Sequence, residues 1–200
     1  MITTIIFDIG NVLVDFCWEE YLDSFHFEPD IREKVARATV LSDAWNEFDR
    51  GGSEEEELIE GFVGNAPEVE REIRLFCQDI HDMLRRREST IPWIEELKNM
   101  GLKVYYLSNF SKKAARECAH VLDFIPYTDG GILSYVEKII KPDPKIYELL
   151  IKRYKLVPGE CVFFDDREDN CEAARKLGME AVCFTTKENA VMELKKLGVY

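Results

Sequence analysis

Ile2 to Phe7 forms a short apolar run rich in β-branched residues that stops at Asp8, with Gly10 in the turn beyond. Its length and branching predict a buried strand. From about Trp18 to Arg87 the chain reads as a long helical stretch, broken at Pro29, at Gly51-Gly52-Ser53 and at Asn65-Ala66-Pro67. Asp49-Arg50-Gly51-Gly52 closes one of these helices and Ser53 opens the next. The acidic run Glu54 to Glu57 sits at the positive end of that second helix and reads as a solvated helix start. After Pro92 the pattern changes to alternation. Helix Trp93–Met100 leads to strand Leu102–Leu107, and helix Lys112–His120 to a less regular region from 124 to 140. Helix Pro142–Tyr154, strand Cys161–Phe164, helix Asp169–Leu177, strand Glu180–Phe184 and helix Lys187–Leu197 complete the chain.

Apolar strands alternating with helices, with no hairpin signals, imply an α/β fold whose parallel sheet is covered on both faces. The helical stretch interrupts that alternation after a single strand. It predicts a helical cap, residues 16–90, inserted into a core made of 1–15 and 91–200.

Composition narrows the function. The 200 residues are 46% hydrophobic, enough to fill a core, and carry a formal net charge of −13. That charge argues against a nucleic-acid partner, which needs clustered Lys and Arg. It also makes an anionic substrate awkward unless a cation supplies local positive charge. The six cysteines form no CxxC pair, and several lie in apolar runs such as CVFF and AVCF, so they read as reduced, partly buried thiols. No leader pattern opens the chain, and no window approaches the ~18 apolar residues of a membrane span. The expectation is a soluble, cytoplasmic protein with no membrane partner, monomeric or homodimeric.

Three strands end in polar residues: Asp8 after IIF, Ser108-Asn109 after VYYL, and Asp165-Asp166 after CVFF. Each alone suits an ordinary strand-to-loop transition. A parallel sheet, however, gathers its strands' carboxyl ends in one crevice, where ligands bind. Three carboxylates there repel one another unless a cation sits among them, and hard oxygen ligands point to Mg²⁺. A hydroxyl and an amide suit phosphate oxygens. Lys141, in IIKPDP, reads by itself as a solvated loop charge.

These residues resemble the haloacid dehalogenase superfamily. DIGNVLV at Asp8–Val14 is similar to its first motif, YYLSN at 105–109 to its second, KPDPKIY at 141–147 to its third, and FFDDREDNCEAARKLGM at 163–179 to its fourth. The resemblance, closest to subfamily IA with its helical cap, implies a Rossmann-like three-layer α/β/α core with strand order 5-4-1-2-3. It implies a phosphatase acting on a small phosphate ester, with Asp8 as a nucleophile that becomes an aspartyl phosphate. Mg²⁺ would be held by the Asp8 carboxylate, the Gly10 carbonyl and Asp166. Ser108 and the Asn109 N–H would bind phosphoryl oxygens and Lys141 would offset charge, while Asp165 and Asn170 would orient water or ligand.

One departure matters. Most phosphatases of this family carry a second Asp two residues after the nucleophile as general acid and base, and here that position is Gly10. Its loss implies a slow enzyme, a good leaving group, or a substitute acid among His26, Asp15 and Asp49. The DxGN pattern resembles a subgroup containing bacterial glucose-1-phosphate phosphatases and the phosphatase domain of some epoxide hydrolases, which points to a sugar phosphate. The segment DAWNEFDRGG is similar to that subgroup as well, placing Trp45, Phe48 and Arg50 at the substrate pocket. The alternatives are a 2-haloacid dehalogenase, which keeps no metal-binding Asp pair in the fourth motif, a phosphoglucomutase, and a catalytically weakened domain that binds phosphometabolites or a protein partner.

Overall fold

A computed structural model describes all 200 residues, Met1–Tyr200. Five parallel strands form the central sheet: β1 (Thr4–Phe7), β4 (Lys103–Ser108), β5 (Gly130–Leu133), β6 (Cys161–Asp165) and β7 (Glu180–Cys183). They lie side by side as β5-β4-β1-β6-β7. Numbered by their occurrence within this sheet, that is the expected order 5-4-1-2-3. β1 lies at the centre, and the chain crosses to one side of it for β4 and β5 and to the other for β6 and β7. The crevice that this reversal opens at the carboxyl edge is where a doubly wound sheet binds its ligand.

Successive strand residues point to opposite faces, and the core divides accordingly. Ile5, Phe7, Val104, Val162 and Phe164 pack into one buried cluster with α6 (Thr90–Asn99) and α11 (Lys187–Lys196). Ile6, Leu107, Cys161 and Phe163 pack into the other with α9 (Pro144–Tyr154) and α10 (Glu168–Lys176). The result is the three-layer α/β/α sandwich that near-continuous apolar strands require.

Between β2 (Val14–Phe16) and β3 (Leu84–Arg86) lie five helices: α1 (Trp18–Asp23), α2 (Pro29–Ala38), α3 (Asp43–Arg50), α4 (Glu55–Asn65) and α5 (Glu70–Gln78). Aromatic rings fill their interior, with Trp45, Phe48 and Phe62 in mutual contact at centroid distances of 5.1–5.7 Å. Two short helices complete the set, α7 (Lys112–Glu117) and α8 (Ser134–Glu137). No helix is long and apolar enough to cross a membrane.

Three elements differ from the sequence expectation. β2 and β3 pair antiparallel, Val14 with Arg86 and Phe16 with Leu84, where a helix was expected to run through 84–87. Three residues are too few to show a period, and no turn dipeptide marks a pairing between segments 70 residues apart in sequence. β5 lies inside the region read as irregular because it opens with two glycines, which are weak strand formers. Gly131 is required there: a Cβ would stand 2.4 Å from Tyr106 atoms. Its N–H donates to the Tyr154 hydroxyl at 2.9 Å.

Candidate active site

β1 delivers Asp8 to the crevice, where it is buried to 8% exposure and accepts a hydrogen bond from the Ile9 N–H at 2.7 Å. The chain then turns sharply, with Asn11 in the left-handed region at φ 57°. Asparagine enters that region more readily than most side chains. Its amide is fixed at both ends: Nδ2 donates to Asp166 at 2.9 Å and Oδ1 accepts from the Phe16 N–H at 3.2 Å.

Lys141 is positioned from the second strand end. The Asn109 side chain grips its backbone twice, Oδ1 accepting from the Lys141 N–H at 2.7 Å and Nδ2 donating to the Lys141 carbonyl at 3.0 Å. The ammonium, 2% exposed, then sits 2.9 Å from Asp8 and 2.6 Å from Asp165. Lys141 is therefore not the solvated loop charge its local sequence suggests. Burial works against its charge, but Asp165 and Asp8 outweigh that and hold its pKa above the ordinary lysine value.

The third strand end contributes two aspartates with different surroundings. Asp165 is fully buried and its oxygens accept from Lys141, from Asn170 Nδ2 at 2.9 and 3.1 Å, and from the Arg167 N–H at 2.9 Å. Asp166 lines the cavity. Oxygens of Asp8, Asp165 and Asp166 all lie within 4.8 Å of one another. With one ammonium among three carboxylates, Asp8 is pushed up to about 6, by burial first and against the pull of Lys141, with Asp165 adding to the rise.

A cavity of about 360 Å³ opens over this floor. Asp8, Gly10, Ser108, Asn109, Lys141, Asp166 and Asn170 all line it, and Trp45 stands on its far wall. Arg50 is not brought there. Ser42, which caps α3, and Trp45, Asn46 and Asp49 within it stand at helical spacing and, with Asp43, line the cavity. Arg50 falls on a different face and pairs with Glu47 at 3.2 Å. Phe48 is buried inside the helical insertion. Of the three substitute acids, His26 is exposed and lines no part of this cavity. Asp15 is paired with Arg87 at 2.6 Å. Only Asp49 reaches the cavity, and burial together with the Asp8 charge pushes it up to about 7.

The sequence reading assigned no role to Asn11, although it stands inside the DIGN motif, nor to Arg167, which joins the cavity rim directly after Asp166. It also left out the apolar residues of the wall, Phe16, Leu41, Met83 and Phe110, which come from four separate segments. No local pattern marks them.

Comparisons with known proteins bear on the fold and the family. A sesquiterpene phosphatase of Aspergillus oryzae is 28% identical over 195 residues, spanning 96% of this chain and 94% of its own. A phosphorylated carbohydrates phosphatase of Thermotoga maritima is 26% identical over 186 residues, 89% of this chain and 82% of its own. A haloacid dehalogenase family enzyme of Bacteroides thetaiotaomicron, solved with magnesium and inorganic phosphate, superposes with a TM-score of 0.70 at 21% identity over 94% of this chain and 96% of that one. The family model for haloacid dehalogenase-like hydrolases matches residues 2–178, the whole span from β1 through α10, and the chain belongs to that family.

Proposed function

We propose that this hydrolase is a magnesium-dependent phosphatase that cleaves a small organic phosphate through an aspartyl phosphate on Asp8. The observation that carries the reading is the charge of the floor: oxygens of three carboxylates lie within 4.8 Å of one another, and the buried ammonium of Lys141 meets only two of them, Asp8 and Asp165. A carbon–halogen displacement on Asp8 needs no cation and gives no reason for that excess, whereas a divalent ion and a phosphoryl dianion complete it.

The residues present fit Mg²⁺. Asp8, Asp166 and the Gly10 carbonyl offer hard oxygens from the cavity side. The buried Asn170 Oδ1 has no partner in the protein, and a hydrated cation beside it supplies a water to fill that need. When bound, the ion would offset charge on the transferring group and lower the repulsion between Asp8 and the phosphate. Asp8 attacks phosphorus in line, while Lys141, Ser108 and the Asn109 N–H hold the phosphoryl oxygens. Asp165 and Asn170 act one step back, holding the ammonium where it meets Asp8.

We read residues 16–90 as a cap domain over a core of 1–15 and 91–200, with specificity set by the cap. The names of the relatives span carbohydrate and sesquiterpene phosphates. A sugar phosphate such as glucose 1-phosphate is the expectation of the motif pattern. The wall of Phe16, Leu41, Trp45, Met83 and Phe110 instead favours an ester with an apolar body. All six cysteines are free thiols, which supports a reducing, cytoplasmic setting.

The test is turnover of p-nitrophenyl phosphate with Mg²⁺ and after chelation, beside Asp8→Asn. Magnesium-dependent turnover that falls at least ~10⁴-fold in the variant is expected. Metal-independent turnover, or an active Asp8→Asn, would defeat the reading. Comparing kcat/KM for decyl phosphate and glucose 1-phosphate then decides the substrate class.

A further inference from the structure

We infer that Asp49, carried by α3 of the inserted helices, is the general acid and base that Gly10 cannot be. This rests on the phosphatase reading and names the group that reading leaves unassigned.

Four carboxylates line the cavity: Asp8, Asp43, Asp49 and Asp166. Asp8 and Asp166 belong to the floor, and Asp43 is exposed at the start of α3. Asp49 remains. It is half-buried, faces Asp8, Lys141 and Arg167, and its carboxylate has no hydrogen-bond partner, so it is free to meet a substrate oxygen.

Its position is held by the core and not left to the cap. The Ser134 hydroxyl at the start of α8 donates to the Asp49 carbonyl at 2.7 Å, and the same oxygen accepts from the Phe110 N–H at 2.8 Å. Phe110 follows directly on Ser108 and Asn109, so a two-bond chain ties residue 49 to the phosphate-binding loop. Two residues on, the Gly51 carbonyl accepts from the Lys138 ammonium. Gly51 itself lies so close to α8 that a Cβ would stand 3.0 Å from Tyr135 Cβ. The end of α3 is thereby seated on the core with Asp49 over the floor. Nothing lies within 4 Å of a Cβ placed at Gly10, so the position left open by the missing acid is real space in the cavity.

The steps balance. An Asp8 oxygen bonds to phosphorus as the ester P–O bond breaks, and the departing oxygen takes the carboxyl proton of Asp49. Asp49, now a carboxylate, accepts a proton from the water that attacks the aspartyl phosphate. The bond from phosphorus to Asp8 breaks, inorganic phosphate leaves, and Asp49 is again protonated.

The experiment is a rapid-mixing comparison of wild type and Asp49→Asn on p-nitrophenyl phosphate and decyl phosphate with Mg²⁺. p-Nitrophenolate leaves without a proton and decanol does not. In the variant, phosphorylation by p-nitrophenyl phosphate should stay within a few-fold of wild type, and phosphorylation by decyl phosphate should fall ~10²–10⁴-fold. Because Asp49 is also the base for the attacking water, hydrolysis of the intermediate should slow, and equally whichever ester formed it. p-Nitrophenolate should then appear as a burst of one equivalent per enzyme followed by a slow phase. Burst amplitude also counts folded sites. Adding Gly10→Asp to Asp49→Asn should restore part of the decyl phosphate turnover. Equal loss on both esters without a burst, or a variant indistinguishable from wild type, overturns the role of Asp49. A wild type inactive on both esters defeats instead the phosphatase reading beneath it.

Discussion

Lys141, Asp165 and Asn170, on the floor of the cavity, are each at most 2% exposed and bonded to one another. On the opposite wall, Leu41 is 62% exposed and Phe16 and Trp45 are half-buried. The floor is a closed set of charges in which each group depends on its neighbours, because a buried charge without a partner is costly. The wall is apolar contact from separate segments, Phe16, Leu41, Trp45, Met83 and Phe110, with no comparable set of paired charges. The groups that handle the phosphoryl are therefore interdependent and the apolar lining is not, with Asp49, seated on the core through Ser134, the exception on the wall.

The sharpest way to break this contrast is to remove the cation of the floor. Lys141→Met leaves Asp8 and Asp165 without their shared partner, and in chelator it should lower unfolding stability by about 3–5 kcal/mol in denaturant titration. A loss under 1 kcal/mol would mean that the floor is not the interdependent unit described here.

A second measurement follows the repulsion within the floor. Asp8 rises from 3.8 to about 6 on folding, so the native state holds a proton that the unfolded chain has lost. Its contribution is fully present below pH 4 and lost as pH rises through 6. In chelator, Asp8→Asn should be more stable than wild type at pH 7 by roughly 3 kcal/mol, and the gap should close toward pH 4. Thermal melts at both pH values, repeated with Mg²⁺, would show whether the ion removes the difference.

Behind the wall, where α3 ends, Gly51→Ala places a Cβ at φ 62° and 3.0 Å from Tyr135. It should cost about 1–2 kcal/mol. It should also slow phosphorylation by decyl phosphate more than phosphorylation by p-nitrophenyl phosphate, since it unseats the end of α3. Equal effects on the two esters would mean that α3 contributes shape alone.

The floor was largely legible in the sequence and the wall only at Trp45 and, among three candidates, Asp49, for the same physical reason. Asp8, Ser108 and Asp166 stand at the ends of apolar runs, and a parallel sheet brings such ends together. Lys141 needed the family motif, because its burial comes from Asn109 gripping its backbone 32 residues away. On α3 the sequence showed a helix but not which way it turns. Asp49 and Arg50 are adjacent, and only the seating against Ser134 decides which one enters the cavity. β5 shows the same limit: Gly130 and Gly131 form a strand because Tyr106 and Tyr154 occupy the space where side chains would go.

The β2–β3 ribbon has a consequence for descent. The inserted helices leave the core after Phe16 and return at Leu84, two residues that sit opposite each other in one ladder, about 5 Å apart. Whatever is spliced between those points begins and ends at the same place. Its length can drift, and an exchanged insert would have to bring its own counterpart of Asp49, while Asp8 and the Asn109 that grips Lys141 stand at strand ends outside it. Lineages sharing this core can thus diversify their reactants by changing one contiguous stretch of coding sequence.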